Sequence, residues 1–119
     1  MHSELLLEHF RNPRNVGQLP PPAVTIDVSN PACGDLLRLS ALFQDDKVVK
    51  ARFQVRGCTA SIAAGSALSE WMIGKTRAQL LGLTAEIIEL ALGGLEPASK
   101  HAAVLCVDGA KAIARSAVS

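Results

Sequence analysis

The chain has 119 residues, 49% of them apolar, and a formal net charge of +1. That length gives a single domain, residues 1–119, that can bury a core without disulfides. The near-balance of charge, with no basic run interleaved with stacking aromatics, excludes a nucleic-acid surface. The longest uncharged stretch, Gly57 to Ser69, is too short and too rich in small residues to span a bilayer. The start, Met1-His2-Ser3-Glu4, lacks the basic and apolar regions of a signal peptide, which points to a cytoplasmic protein.

Taken in chain order, Ser3 to Phe10 reads as a short helix with Leu6 and Phe10 on one face. Arg11-Asn12-Pro13-Arg14-Asn15-Val16-Gly17 ends it, because proline and the turn residues around it cannot continue a helix. Leu19-Pro20-Pro21-Pro22 is expected to be extended. His2 and His9, in or near a terminus expected to be mobile, receive no role. Three strands follow, each alternating with period two. Val24, Ile26 and Val28 face one way in the first. Leu37, Leu39, Ala41 and Phe43 do so in the second, and Val49, Ala51, Phe53 and Val55 in the third. Their polar neighbours face the other way, so the sheet is antiparallel with helices on one side only.

The rest is helical. Thr59 or Ser61 starts a helix running to Ile73 and stopped by Gly74; Thr76 and Thr84 open two short ones. Pro97 begins a last helix reaching about Ala117. The fold class is α+β: a three-stranded antiparallel sheet, helices packed on one face, and a long C-terminal helix. The few aromatic side chains, Phe10, Phe43, Phe53 and Trp71, leave most of the core to Leu, Val, Ile and Ala.

Cys33 and Cys58 flank the hairpin whose turn is Gln44-Asp45-Asp46-Lys47. A turn centred on Asp45-Asp46 makes paired position numbers sum to 91, which sets Cys33 against Cys58. The apolar faces match only if the register shifts by one, through a bulge or an odd-length loop. Cys33 then lies opposite Gly57 or Thr59, still beside Cys58. Two cysteines meeting at the open end of a hairpin fit a metal site better than two independent apolar fillers. Cys58 also stands at the mouth of a helix, where anions are favoured.

Asp35 is two residues beyond Cys33 and points the same way along the strand, inward at the rim of the dry face. It either caps the Ala32-Cys33-Gly34 turn or faces a cation. A lone histidine such as His101, near the start of a helix, is by itself usually surface or satisfied core. Cys106 sits in the apolar stripe Ala102, Leu105, Gly109, Ala110 and Ile113 and reads as a buried small residue.

These residues carry a resemblance. Pro31-Ala32-Cys33-Gly34-Asp35 and Arg56-Gly57-Cys58, with the small-residue helix through Glu70-Trp71 and Gly74-Lys75, resemble the first two ligand motifs of the IscU/NifU/SufU family. His9-Phe10-Arg11-Asn12-Pro13-Arg14-Asn15-Val16-Gly17 is similar to that family's N-terminal segment. Lys100-His101 through Asp108 resembles its third ligand region.

The resemblance implies a non-enzymatic scaffold with Cys33, Asp35, Cys58 and His101 as ligands. Such a site holds zinc or iron, takes sulfur from a cysteine desulfurase, and assembles a [2Fe–2S] iron–sulfur cluster for apo acceptor proteins. Two departures stand out. The family's third cysteine follows the histidine, where this chain has Ala102. Leu95-Glu96-Pro97-Ala98-Ser99-Lys100 differs from the Leu-Pro-Pro-Val-Lys motif by which IscU-type members engage an Hsp70 chaperone. The missing cysteine leaves open a zinc-binding regulatory or adaptor module that has lost cluster assembly. A cysteine hydrolase using Cys58, His101 and Asp35 is the third reading.

Overall fold

The structure, a computed structural model, describes residues 2–31 and 34–116. Ser3 caps α1 (Glu4–Arg11) by accepting from the Leu6 N–H. Leu6 and His9 are its buried residues, and Phe10 is exposed instead of joining Leu6 in the core. The Ser3 hydroxyl also donates to the Leu92 carbonyl, which ties the N-terminus to the far side of the chain. The proline segment is not fully extended: the Ala23 N–H turns back to the Pro20 carbonyl at 3.1 Å.

The strands β1 (Val24–Asn30), β2 (Asp35–Gln44) and β3 (Lys47–Arg56) pair antiparallel in the order β1-β2-β3. From Leu36↔Arg56 to Leu42↔Lys50 the paired numbers sum to 92. The register then slips to Phe43↔Val48 before the turn. The shift required by the apolar faces is therefore a bulge that leaves Val49 unpaired. One correction follows. Val48 is buried and Val49 faces out, because the extra residue reverses the alternation at that point.

The inward face carries Leu37, Leu39, Ala41, Ala51 and Phe53, all buried. Two helices cover it. α2 (Thr59–Met72) lies over β3, and α5 (His101–Ser116) lies over β1 and β2. Both approach closely because they carry glycine at the contact. A Cβ on Gly65 would come within 2.5 Å of the Phe53 ring, and one on Gly109 within 2.9 Å of Leu37. Phe53 is the one aromatic residue wholly in the core. Phe43 and Trp71 pack at its margin, under the cations of Arg77 and Lys75.

Short helices α3 (Arg77–Leu81) and α4 (Ala85–Ala91) start at the expected caps, Thr76 and Thr84; Thr76 forms a reciprocal capping box with Gln79. The last helix differs from expectation at its start. Pro97–Ser99 forms a separate 3-10 turn, and α5 begins at His101. That break puts His101 at a helix N-terminus, not inside a helix, and aims it at the open end of the hairpin. Among the described residues no helix is long and apolar enough to cross a membrane.

Candidate metal centre

Three elements deliver one group each to the open end of the β2–β3 hairpin. Asp35 is the first residue of β2, Cys58 the N-cap of α2, and His101 the first residue of α5. Asp35 is only 5% exposed, as its inward direction requires, so its carboxylate must be met by polar partners. The His101 Nε2 lies 3.3 Å from Asp35 Oδ2 and 3.7 Å from Cys58 Sγ. Cys58 Sγ lies 3.7 Å from the same Asp35 oxygen. A sulfur, a nitrogen and an oxygen donor thus sit within 4.8 Å of one another. Cys33, the remaining expected ligand, lies outside the described residues.

Local sequence accounts for the convergence. Continuing the 92 register one step sets Asp35 opposite Gly57, and the carboxylate occupies the space a side chain there would take. A Cβ on Gly57 would lie 2.6 Å from Asp35 Cγ and within 2.9 Å of both oxygens. Cys58 makes no side-chain capping bond, so its sulfur is left exposed at the end of α2.

Ser61 is a neighbour that sequence reasoning treated only as a possible helix start. It is 2% exposed, its hydroxyl donates to Asp35 Oδ2, and it lies 3.4 Å from Cys58 Sγ. The available signal was its spacing: three residues after Cys58 at the start of a helix, the two share a face.

The geometry separates metal chemistry from nucleophilic catalysis. A thiol–imidazole–carboxylate relay puts nucleophile and orienting carboxylate on opposite ring nitrogens. Here both Cys58 and Asp35 face Nε2, which surrounds a common point and does not transmit a proton from one side of the ring to the other. Among the described residues Cys106 is not one of the clustered donors. It is 2% exposed, and burial pushes its thiol up to about 12, as the apolar stripe implied. Ala102 is likewise buried in the first turn of α5.

The family of NifU-like N-terminal domains matches residues 1–118. The chain belongs to that family. It is 38% identical over 120 residues to the iron–sulfur cluster assembly scaffold protein IscU of Azotobacter vinelandii, covering 96% of this chain and 91% of that protein. It is 37% identical over 108 residues to IscU 1 of Archaeoglobus fulgidus, covering 91% of this chain and 71% of that one. In structure it resembles the N-terminal NifU-like protein of Brucella abortus, with a TM-score of 0.76 at 21% identity over 95% of this chain and 91% of the other. That likeness confirms the α+β fold.

His9 is a second correction. It is not part of a loose terminus. It is buried on α2, its Nδ1 2.8 Å from the Ser66 hydroxyl and its Nε2 3.6 Å from Glu70.

Proposed function

We propose that this chain is a scaffold on which a labile iron–sulfur cluster is assembled or carried, then passed to acceptor proteins. The observation that carries the reading is the meeting of Asp35, Cys58 and His101 from three separate elements around one point. With Cys33 they offer four donors, enough for a tetrahedral zinc or iron ion or for both irons of a [2Fe–2S] cluster. The relatives' role as assembly scaffolds supports this over a zinc-binding regulator.

The protein's part is binding and release, with no turnover of its own. One imidazole and one carboxylate among the donors hold a cluster less firmly than four thiolates, which suits a cargo that must leave. Among the described residues Cys58 is the exposed thiol at the site, and it offers a cysteine desulfurase a reachable sulfur acceptor. The burial of Cys106 withholds it from that role.

Anaerobic incubation with ferrous iron, L-cysteine, a cysteine desulfurase and a dithiol to reduce the delivered persulfide sulfur to sulfide is expected to yield a coloured protein that loses its chromophore to an apo-ferredoxin. In parallel, zinc analysis of the cluster-free protein should find about one ion per chain, lost in Cys33→Ala and in Cys58→Ala. A colourless wild type, or full zinc in both variants, would defeat the reading.

A further inference from the structure

Asp35 Oδ2 is the atom toward which the whole centre is built, and it is confined from two sides. Gly57 leaves the carboxylate its space with no side chain to spare, and Ser61 donates to Oδ2 from the first turn of α2. The Ser61 hydroxyl is itself buried, has one proton to give, and gives it to the oxygen that also faces Cys58 and His101.

A carboxylate oxygen has two lone pairs. One can accept from Ser61 while the other remains directed at the centre, so the contact orients a ligand without blocking it. Carboxylates that bind metal are commonly held by such outer hydrogen bonds, and losing one weakens metal binding by roughly 10- to 100-fold.

The geometry points to Ser61 as a positioning residue: its hydroxyl fixes the Asp35 carboxylate as a metal and cluster ligand, and thereby sets how readily the cargo leaves. This rests on the proposed metal centre and deepens it. Without the hydroxyl, the carboxylate can turn wholly toward His101, 3.3 Å away. It then presents a different oxygen, or none, to an incoming ion.

The test is chelator competition for zinc on the cluster-free protein, run on a double-mutant cycle. Ser61→Ala is expected to lower zinc affinity roughly tenfold and Ser61→Thr, which keeps the hydroxyl, to restore most of it. The decisive comparison is in the Asp35→Ala background, where Ser61→Ala should cost nothing further, since it acts through that carboxylate. A structural role alone would weaken the fold equally in both backgrounds; circular dichroism melting on the same four proteins measures that component. Unchanged affinity in Ser61→Ala, or an equal loss with Asp35 absent, overturns the inference. Cys58→Ala is run alongside. If it loses zinc while Ser61→Ala does not, the metal centre stands and only the role of Ser61 falls. If Cys33→Ala and Cys58→Ala both keep full zinc, both fall.

Discussion

Helix α2 carries two polar clusters with similar inventories. At its N-terminus Cys58 and Ser61 meet Asp35 and His101; further along, Ser66, Ser69 and Glu70 meet His9, Arg14 and Asn15. Each has serine, histidine and a carboxylate, yet they differ in how their groups are satisfied. In the second cluster the serines, His9 and Asn15 close on one another and on backbone, while the exposed Glu70 stands farther off, 3.6 Å from His9 and 3.9 Å from Arg14. Ser66 receives the Arg14 N–H at 2.9 Å and lies 2.8 Å from His9; Ser69 donates to the Ser66 carbonyl at 2.7 Å and receives Asn15 at 3.1 Å. These are ordinary hydrogen bonds with backbone in the network.

The first cluster stays open. Apart from the Ser61–Asp35 bond, its contacts run from 3.3 to 3.7 Å and point at a shared space. One histidine is part of a fastening, the other part of a receptacle. The difference teaches that residue type identifies neither; the spacing of donor atoms does.

The comparison breaks most plainly if the two clusters respond alike to substitution. Cys58→Ala should reduce zinc affinity by more than the roughly 10- to 100-fold typical of losing an outer-shell partner, with little change in melting temperature. The reverse pattern belongs to His9→Ala. It should destabilise the fold by about 1–3 kcal/mol, through a lost buried hydrogen bond, while zinc stoichiometry measured by metal analysis stays at the wild-type value.

Acid sharpens the contrast. Burial, reinforced by Arg14, holds the His9 imidazole below its usual 6.5, with Glu70 and Glu8 opposing. A folded-state value below the unfolded one favours the neutral ring. The resulting stability is present above pH 6.5 and is lost as pH falls through the lowered value. The protection of α1 against hydrogen exchange, taken relative to the intrinsic rate at each pH, should therefore fall on acidification from pH 7.5 to 5, and His9→Gln should remove most of that dependence. Equal protection of α1 at both pH values would contradict the fastening role.

A smaller gain is expected from Ala102→Cys, which adds a soft donor beside His101: the reconstituted chromophore should outlast that of the wild type against a chelator. Smallest of all is Cys106→Ala, with zinc retained in full. Cys106 in the native metal-free protein should react with a thiol reagent far more slowly than Cys58. Zinc loss in Cys106→Ala would make that thiol part of the receptacle after all.

Much of this was legible in the residues. Alternation gave the three strands, and the mismatch of apolar faces required a register shift by one in either direction; the structure takes the one that brings Asp35 to Gly57. The position of the bulge was not legible, because Val48 and Val49 are both β-branched and either could face inward. Leu6 with Phe10 and Leu6 with His9 are equally good helical spacings, and only the docking of α1 on α2 chose the histidine. Pro97 marked a beginning, but a tight turn and an α-helix share that signal. Ser61 stayed hidden because its partner is 26 residues earlier in the chain. The match to Asp35 exists only once β2 and the start of α2 have been brought together.

The bulge at Val49 has one more consequence. Eight steps of extended chain, about 26 Å, separate it from Gly57, yet it determines what lies across from Asp35. Paired without that bulge, at the sum of 91 that holds beside the turn, the strands would set Arg56 instead of Gly57 across from Asp35 and put a side chain where the carboxylate now rests. The hairpin works as a ruler whose zero is set at its closed end and whose reading is taken at the other. Length changes near Asp45-Asp46, usually harmless in an exposed turn, are therefore constrained here by parity: an insertion or deletion that preserves the facing of both strands must be compensated within the same hairpin, far from the chemistry it protects.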